Sequence, residues 1–259
     1  MTPADRDIDN QDLTASEFAD LESGHSATPE EVVATALEFF AEQGFTETKL
    51  EKIAKASGMS KRMIHYHFGD KKGLYIKTIV HSLSLVRPKA EALQLDSAVP
   101  VDGVRKIVEA FYNCITEHPA AVRLLLLENL HRYGGVEAAA ALTDESNVLL
   151  HMDKLLMLGQ DAGAFRPGIS AEDVMVLISS LAYYSVSNRD SLHILYGVDL
   201  GTEANVDGMR RFVVDAVLAF LTSNIQNSGS SSYLVVGSKA HEPEEDDGVY
   251  SFDTDVFKD

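Results

Sequence analysis

TETKLEKIAKASGMSKRMIHYHFGDKKGL, residues 46–74, reads as two short helices joined by a tight turn, with a third beginning after them. Thr48 followed by Glu51 has the spacing of a capping box, so the spacing predicts a helix from Lys49. Leu50, Ile53 and Ala54 fall at i, i+3, i+4 and give that helix a buried stripe. Gly58 supplies the left-handed residue that ends it, and Ser60 caps the next helix. In the second helix Ile64 and Phe68 share an inward face. At 100° per residue, Arg62, His65 and Tyr66 then point outward, with Lys61 and His67 on the flanks. Two helices across a Gly-containing turn, the second presenting cations and hydrogen-bonding rings to solvent, form the helix-turn-helix pattern of a major-groove reader.

The bulk charge argues against this at first. The chain has 259 residues and a net charge of -18, whereas phosphate binding needs local positive charge. Position resolves the conflict. Residues 1–27 carry seven acids and one base, and residues 227–259 carry eight acids and two bases. Within residues 45–77 there are eight Lys/Arg against three acids, a local +5. The single cysteine, Cys114, excludes an internal disulfide and a cysteine zinc cluster and suits a reducing compartment. No apolar run approaches the length of a membrane span, and the N-terminus is acidic, unlike a signal peptide. A soluble, cytoplasmic protein with no membrane partner is expected.

Upstream, Thr28-Pro29-Glu30-Glu31 opens a helix by capping box and by proline at its first position. Val32, Val33, Ala36, Leu37 and Phe40 form its stripe, and Gly44 stops it. Downstream, Asp70 caps a helix from Lys71, with Leu74, Ile79 and Leu83 joining head to body. With these residues in place, ALEFFAEQGFTETKLEKIAKASGMSKRMIHYHFGDKKGLY resembles the N-terminal domain of the TetR family of transcriptional regulators. The likeness runs from about residue 28 to 86. It includes Phe40-Ala41 with Gly44-Phe45, the Ile53-Ala54 pair, Gly58, His67-Phe68, Lys71 and Leu74. The family often has Tyr where this chain has His65, with a Tyr here one place later. The candidate DNA contacts are Thr48, Lys49, Ser60, Lys61, Arg62, His65, Tyr66, His67 and Lys71. Of these, Thr48, Lys49 and Lys71 suit phosphates and Arg62 suits guanine.

Past Pro88 the pattern stays helical. Val101 to His118 is amphipathic, Pro119 begins another helix, and Gly134-Gly135 ends it. Val136 to Gln160 is a long candidate, and Ser170 with Asp173 caps a helix from Ala171. Between that helix and a last one, residues 188–203 (NRDSLHILYGVDLGTE) read as an irregular linker, with room for a short helix. Strand-type alternation is almost absent, so the fold class is all-α: a three-helix head plus a larger helical body for effector binding and dimerisation. The resulting division is 1–27 disordered and acidic, 28–88 DNA-binding head, 89–226 body, and 227–259 flexible acidic tail.

Polar groups interleaved among apolar helix positions suggest a small-molecule cavity in the body. Its candidate lining is Phe111, Tyr112, His131, Met152, Leu156, Met175, Tyr183 and Tyr184, with Asn113, Cys114 and His193 nearby; plain core is the alternative for each. The stripes Val174, Leu177, Ile178, Leu181 and Met209, Val213, Ala216, Phe220 are either core or a dimer seam. The TetR resemblance implies the seam, because the last two main helices of that family usually form a four-helix bundle with their partners. Residues 188–200 also resemble a linker in relatives that respond to small metabolites. His65 and His67 lie two apart on a helix and diverge, with no acid or cysteine to complete a metal set. No glycine-rich phosphate loop, nucleophile elbow or paired-acid spacing is present, so neither catalysis nor a cofactor is expected. The resemblance implies a homodimeric repressor on a palindromic double-stranded operator, released by a small-molecule effector. The alternative from another class is a helical recruitment factor whose acidic tail binds a partner protein.

Overall fold

A computed structural model describes residues 27–88, 99–134, 136, 147–224 and 232–234. Ten helices and no strand are found among the described residues. They are α1 Pro29–Glu47, α2 Leu50–Ser57, α3 Lys61–Phe68, α4 Lys71–Leu85, α5 Pro100–Glu117, α6 Pro119–His131, α7 Asn147–Asp161, α8 Ala171–Ser187, α9 Arg189–Tyr196 and α10 Glu203–Thr222. None is long and apolar enough to cross a membrane. The expected segment 1–27, the head–body boundary at 88–89 and the first half of the Val136–Gln160 helix lie largely outside the described residues.

Helix starts follow the caps. Thr28 Oγ1 accepts from Glu31 N–H at 3.2 Å while Glu31 Oε2 accepts from Thr28 N–H at 2.8 Å. Ser60 Oγ accepts from Met63 N–H, Asp70 Oδ1 from Gly73 N–H, and Ser170 and Asp173 form a reciprocal box. Gly44 (φ 74°) breaks α1 before its last residues, and Gly58 (φ 81°) ends α2.

Thr48 is the exception. Its hydroxyl does not cap α2. It donates to Gly44 O at 2.7 Å and Phe39 O at 3.1 Å, covering carbonyls left over where α1 ends, and it is buried. Lys49 takes the N-cap position with no side-chain bond, and Glu51 pairs with Lys61.

In the head, α1 packs on α2, α3 and α4, burying Val32, Ala36, Leu37, Phe40, Leu50, Ile53, Ile64, Leu74 and Ile79. In the body, α5 is central and packs against α7, α8 and α10. Helix α6 bridges the two units, touching α1 and α4 on one side and α5 and α8 on the other. A buried aliphatic or aromatic side chain contributes about 1.5–3 kcal/mol, so α5's buried Val104, Ile107, Val108, Phe111 and Ile115 hold the body's layers together.

That packing corrects the expected seam. Val174, Ile178 and Val213 are fully buried within one chain and cannot meet a partner. Leu177, Leu181, Met209, Ala216 and Phe220 are half-buried. Apolar periodicity finds the face turned to the core, and α5 occupies it. The apolar residues that α8 and α10 leave outside are Val176 (50% exposed), Tyr184 (52%) and Phe212 (56%).

Candidate nucleic-acid interface

The short helices α2 and α3 are amphipathic because each has only two turns to satisfy two environments. Ile64 on α3 is fully buried, Met63 and Phe68 are half-buried, and the remaining side chains stay outside. Lys61, Arg62, His65, Tyr66 and His67 are all exposed, Tyr66 to 79%. Arg62 and Tyr66, one turn apart, share one outer face with His65.

Several of these side chains are held. The Lys61 ammonium pairs with the Glu51 carboxylate, pinning α3 to α2 and drawing Glu51 below the usual carboxylate range. His65 Nδ1 donates to Gly69 O at 2.7 Å, so the ring closes the end of α3 and turns Nε2 outward. The Tyr66 and His67 rings meet edge to face at 5.2 Å. Lys49 is exposed at the uncapped start of α2, where backbone amides suit an anion. Ser60 is exposed and already accepts from Met63 N–H.

Two expected phosphate contacts change. Thr48, with 1% of its surface exposed and its hydroxyl committed to two carbonyls, offers no side-chain contact to DNA. The Lys71 ammonium donates to Thr46 O at 3.0 Å and lies 4.8 Å from the Phe45 ring centre. Burial holds its pKa below the usual lysine value. Lys71 therefore ties the start of α4 to the end of α1, and the exposed cation beside it is Lys72.

The structure adds a joint that the sequence pattern did not reveal. Tyr75 on α4 donates to Glu128 Oε2 on α6 at 2.8 Å, both side chains being buried. Burial first, then the Glu128 contact, pushes the Tyr75 phenol well above its ordinary value. Around it stand Phe40, Phe45 and Tyr133, with ring centres 4.8–6.2 Å apart. The Thr46 and Tyr133 hydroxyls share a hydrogen bond at 3.2 Å. The one available signal was Glu128 itself, an acid one turn beyond Leu124 on an apolar stripe.

The candidate effector residues divide. Phe111, Tyr112, Met152 and Leu156 are buried, and Met175 and Tyr183 are half-buried, on the mutually packed α5, α7 and α8. Tyr112 donates to Val206 O at 3.2 Å, and burial raises the phenols of Tyr112 and Tyr183 and the thiol of Cys114. His131 is exposed and stacks on Tyr133 at the head–body joint, 5.5 Å between ring centres, away from the interior. Tyr184 and His193 are exposed as well. A cavity of about 520 Å³ opens elsewhere, on the outer face of α7 along Leu150, Lys154 and Met157.

Comparison with known proteins agrees with this geometry. Residues 32–78 match the family described as bacterial regulatory proteins, tetR family, and residues 100–217 match a tetracyclin repressor-like, C-terminal domain. The chain is similar to the HTH-type transcriptional repressor NicS of Pseudomonas putida, with 30% identity over 196 residues covering 74% of this chain and 91% of that protein. It is similar to the HTH-type transcriptional regulator RutR of Escherichia coli K12 at 23% identity over the same coverage. The fold is similar to that of the regulator SCO4942 of Streptomyces coelicolor, with a TM-score of 0.55 and 23% identity over 75% of this chain and 98% of that one.

Proposed function

The chain belongs to the TetR family of transcriptional regulators, and from that premise we propose that it represses transcription as a homodimer on a palindromic operator and leaves the operator when a small molecule enters its body. The observation that carries this reading is α3: a two-turn helix anchored by Ile64 that offers Arg62, His65 and Tyr66 together on one face. Arg62 reads guanine through its two-pronged donor, Tyr66 and His67 supply further base or sugar contacts, and Lys49, Ser60 and Lys61 meet phosphate. Lys71 positions the start of α4.

Self-association uses the outer stripe of α8 and α10, with Val176, Tyr184 and Phe212 at its centre and Leu177, Leu181 and Ala216 beside them. Exposed Ile194, Leu195 and Tyr196 on α9, a helix that buries nothing in its own chain, extend the apolar surface a partner would cover. A two-fold axis there sets two α3 helices in successive major grooves, about 34 Å apart.

The effector lies among Phe111, Tyr112, Met152, Leu156, Met175 and Tyr183. Release needs no contact between effector and DNA. Helix α6 touches α8 of the body and both α1 and α4 of the head, so a shift of α6 changes the spacing of the two heads. A coupling of about 1–3 kcal/mol lowers operator affinity about 5–150-fold. The test is a gel shift with the DNA upstream of the chain's own gene, repeated across a panel of small metabolites. A retarded complex that one metabolite dissolves supports the cycle. Binding no tighter than to random DNA, or indifference of a specific complex to every metabolite, overturns the first or the second half of it.

A further inference from the structure

The region shared with the tetracyclin repressor-like domain ends at residue 217, yet this chain runs on to residue 259. Ser232–Leu234 belong to the segment read from sequence as flexible tail, and they are instead seated on the body. Tyr233 N–H donates to Asp173 Oδ2 at 3.1 Å and Leu234 N–H donates to Asp173 Oδ1 at 2.8 Å. Asp173 is 6% exposed, and its Oδ2 also accepts from Ser170 N–H at the start of α8. Two successive peptide N–H groups closing on one carboxylate form a nest, a geometry that holds an anion strongly.

The aromatic half of the seat is equally built. The Arg166 guanidinium lies 4.3 Å from the Phe220 ring centre and 6.0 Å from that of Tyr233, and Arg166 Nη2 donates to the Tyr233 hydroxyl at 3.4 Å. The Phe220 and Tyr233 ring centres are 5.8 Å apart. The corner carrying Arg166 is fixed in turn. Arg166 N–H donates to Leu221 O at 2.9 Å, and the buried Phe165 ring fills the notch at Gly159, where a Cβ would stand 2.0 Å from it. The site therefore suits a bent peptide segment with an aromatic side chain and two free N–H groups.

We propose that Arg166, Asp173 and Phe220 form an intramolecular docking site that takes the chain's own Ser232-Tyr233-Leu234 and anchors its acidic C-terminal extension to the body. The contacts come from three places: the first turn of α8, the α7–α8 corner and the last turn of α10. Docking is thus linked to the relative setting of α8 and α10, and whatever shifts one shifts the other. The extension beyond Leu234, with eight acids and two lysines, starts from this corner and not from the end of α10.

Hydrogen exchange on the full-length chain tests the site. The amides of Tyr233 and Leu234 should exchange at least about tenfold slower than in an unstructured peptide, as hydrogen bonds to a buried charge require. Leu234→Pro removes one donor without touching Asp173, so Tyr233 should lose its protection while the amides of α8 keep theirs. The chain has no tryptophan, so Tyr233→Trp adds a single emission centre. Its fluorescence anisotropy should fall when Leu234→Pro is added. Peptide-like exchange at both amides in the unaltered chain, or unchanged Tyr233 protection and anisotropy in the proline variants, overturns the proposal. Loss of protection along the whole of α8 in Leu234→Pro also overturns it, because the segment would then be part of the fold and not a docked peptide.

Discussion

Tyr75→Phe removes a single hydroxyl from the joint between head and body. The ring keeps its edge contacts with Phe40 and Phe45, at 5.0 and 4.8 Å, so the substitution isolates the 2.8 Å bond to Glu128. A hydrogen bond to a charged group contributes about 1.5–3 kcal/mol. Glu128 keeps other contacts, including Val136 N–H at 3.4 Å from Oε1, which puts the expected loss toward the lower end, about 1.5–2 kcal/mol. For a chain of this size that lowers Tm by roughly 3–8 °C. Glu128→Gln disturbs the same bond from the other side. Its amide can accept from Tyr75 or from Val136, while its NH2 group faces the second donor. The two substitutions should therefore be strongly non-additive, with a coupling of about 1 kcal/mol or more. Urea unfolding of the four proteins, followed by helical circular dichroism, measures the cycle, and the midpoints should move with little change in slope. Additivity within about 0.4 kcal/mol, or a Tyr75→Phe loss below about 0.5 kcal/mol, would refute the claim that this bond joins the two units.

Arg62→Ala should weaken operator binding by about 1–3 kcal/mol and relax preference at one base position per half-site; unchanged preference across a randomised site library removes Arg62 from base reading. Phe212→Asp places a charge on the outer stripe of α10 and should give a folded monomer by light scattering, whereas Val213→Asp, inside the core, should fail to fold. A Phe212→Asp protein that stays dimeric moves the seam elsewhere. Tyr75, Tyr112 and Tyr183 have raised values in the folded chain, so their stabilisation is complete below the free-phenol value near pH 10 and is lost as pH climbs through the raised values. Phenolate absorbance of these three should rise only above the free-phenol value or on alkaline unfolding, and titration of Tyr75, Tyr112 and Tyr183 at the free-phenol value in the folded chain contradicts their burial. If the acidic extension competes with DNA for the head, deleting residues 227–259 tightens non-specific binding at low salt, and the gain fades as the screening length falls to about 8 Å near 0.15 M. Equal affinities at low salt leave the extension as a solubilising segment.

Helix starts were legible because capping is local. Thr28 with Glu31, Ser60, Asp70, and Ser170 with Asp173 each act within three residues of themselves, and each forms its bond. Thr48 had the same sequence signature and went the other way. One hydroxyl faced two uses, the amides opening α2 and the carbonyls closing α1, and its burial beneath α1 decided for the carbonyls. Spacing alone does not say whether such a hydroxyl accepts from amides ahead of it or donates to carbonyls behind it. Of the long pattern read as Val136–Gln160, the described residues carry the helix Asn147–Asp161, and residues 137–146 lie outside the described residues. Residues 188–203, read as an irregular linker with room for a short helix, contain the helix Arg189–Tyr196, which has no buried residues and so no buried stripe to fix its bounds from sequence.

What covers the stripes of α8 and α10, and the joint between head and body, were hidden for a different reason. Periodicity at Val174, Ile178 and Val213 says that a face is apolar, but not whether α5 or a second chain covers it. A contact such as Tyr75 with Glu128, 53 residues apart, leaves no local pattern. A composition signal was nonetheless present. Glu128 sits on an apolar face of α6, and Asp173 follows directly before the buried Val174 of α8. A carboxylate shut away from water must find donors, and its own helix can supply them only at the first turn. Glu128, three residues from the end of α6, has no such supply and takes Tyr75 from the head. Asp173 has Ser170 N–H, which leaves lone pairs over, and these take Tyr233 and Leu234 from beyond the last helix. Each buried acid thus marks a place where the chain returns to itself from a distance. An acid interrupting an apolar stripe is a sequence-level pointer to such a junction, though it does not say which distant residue supplies the donor.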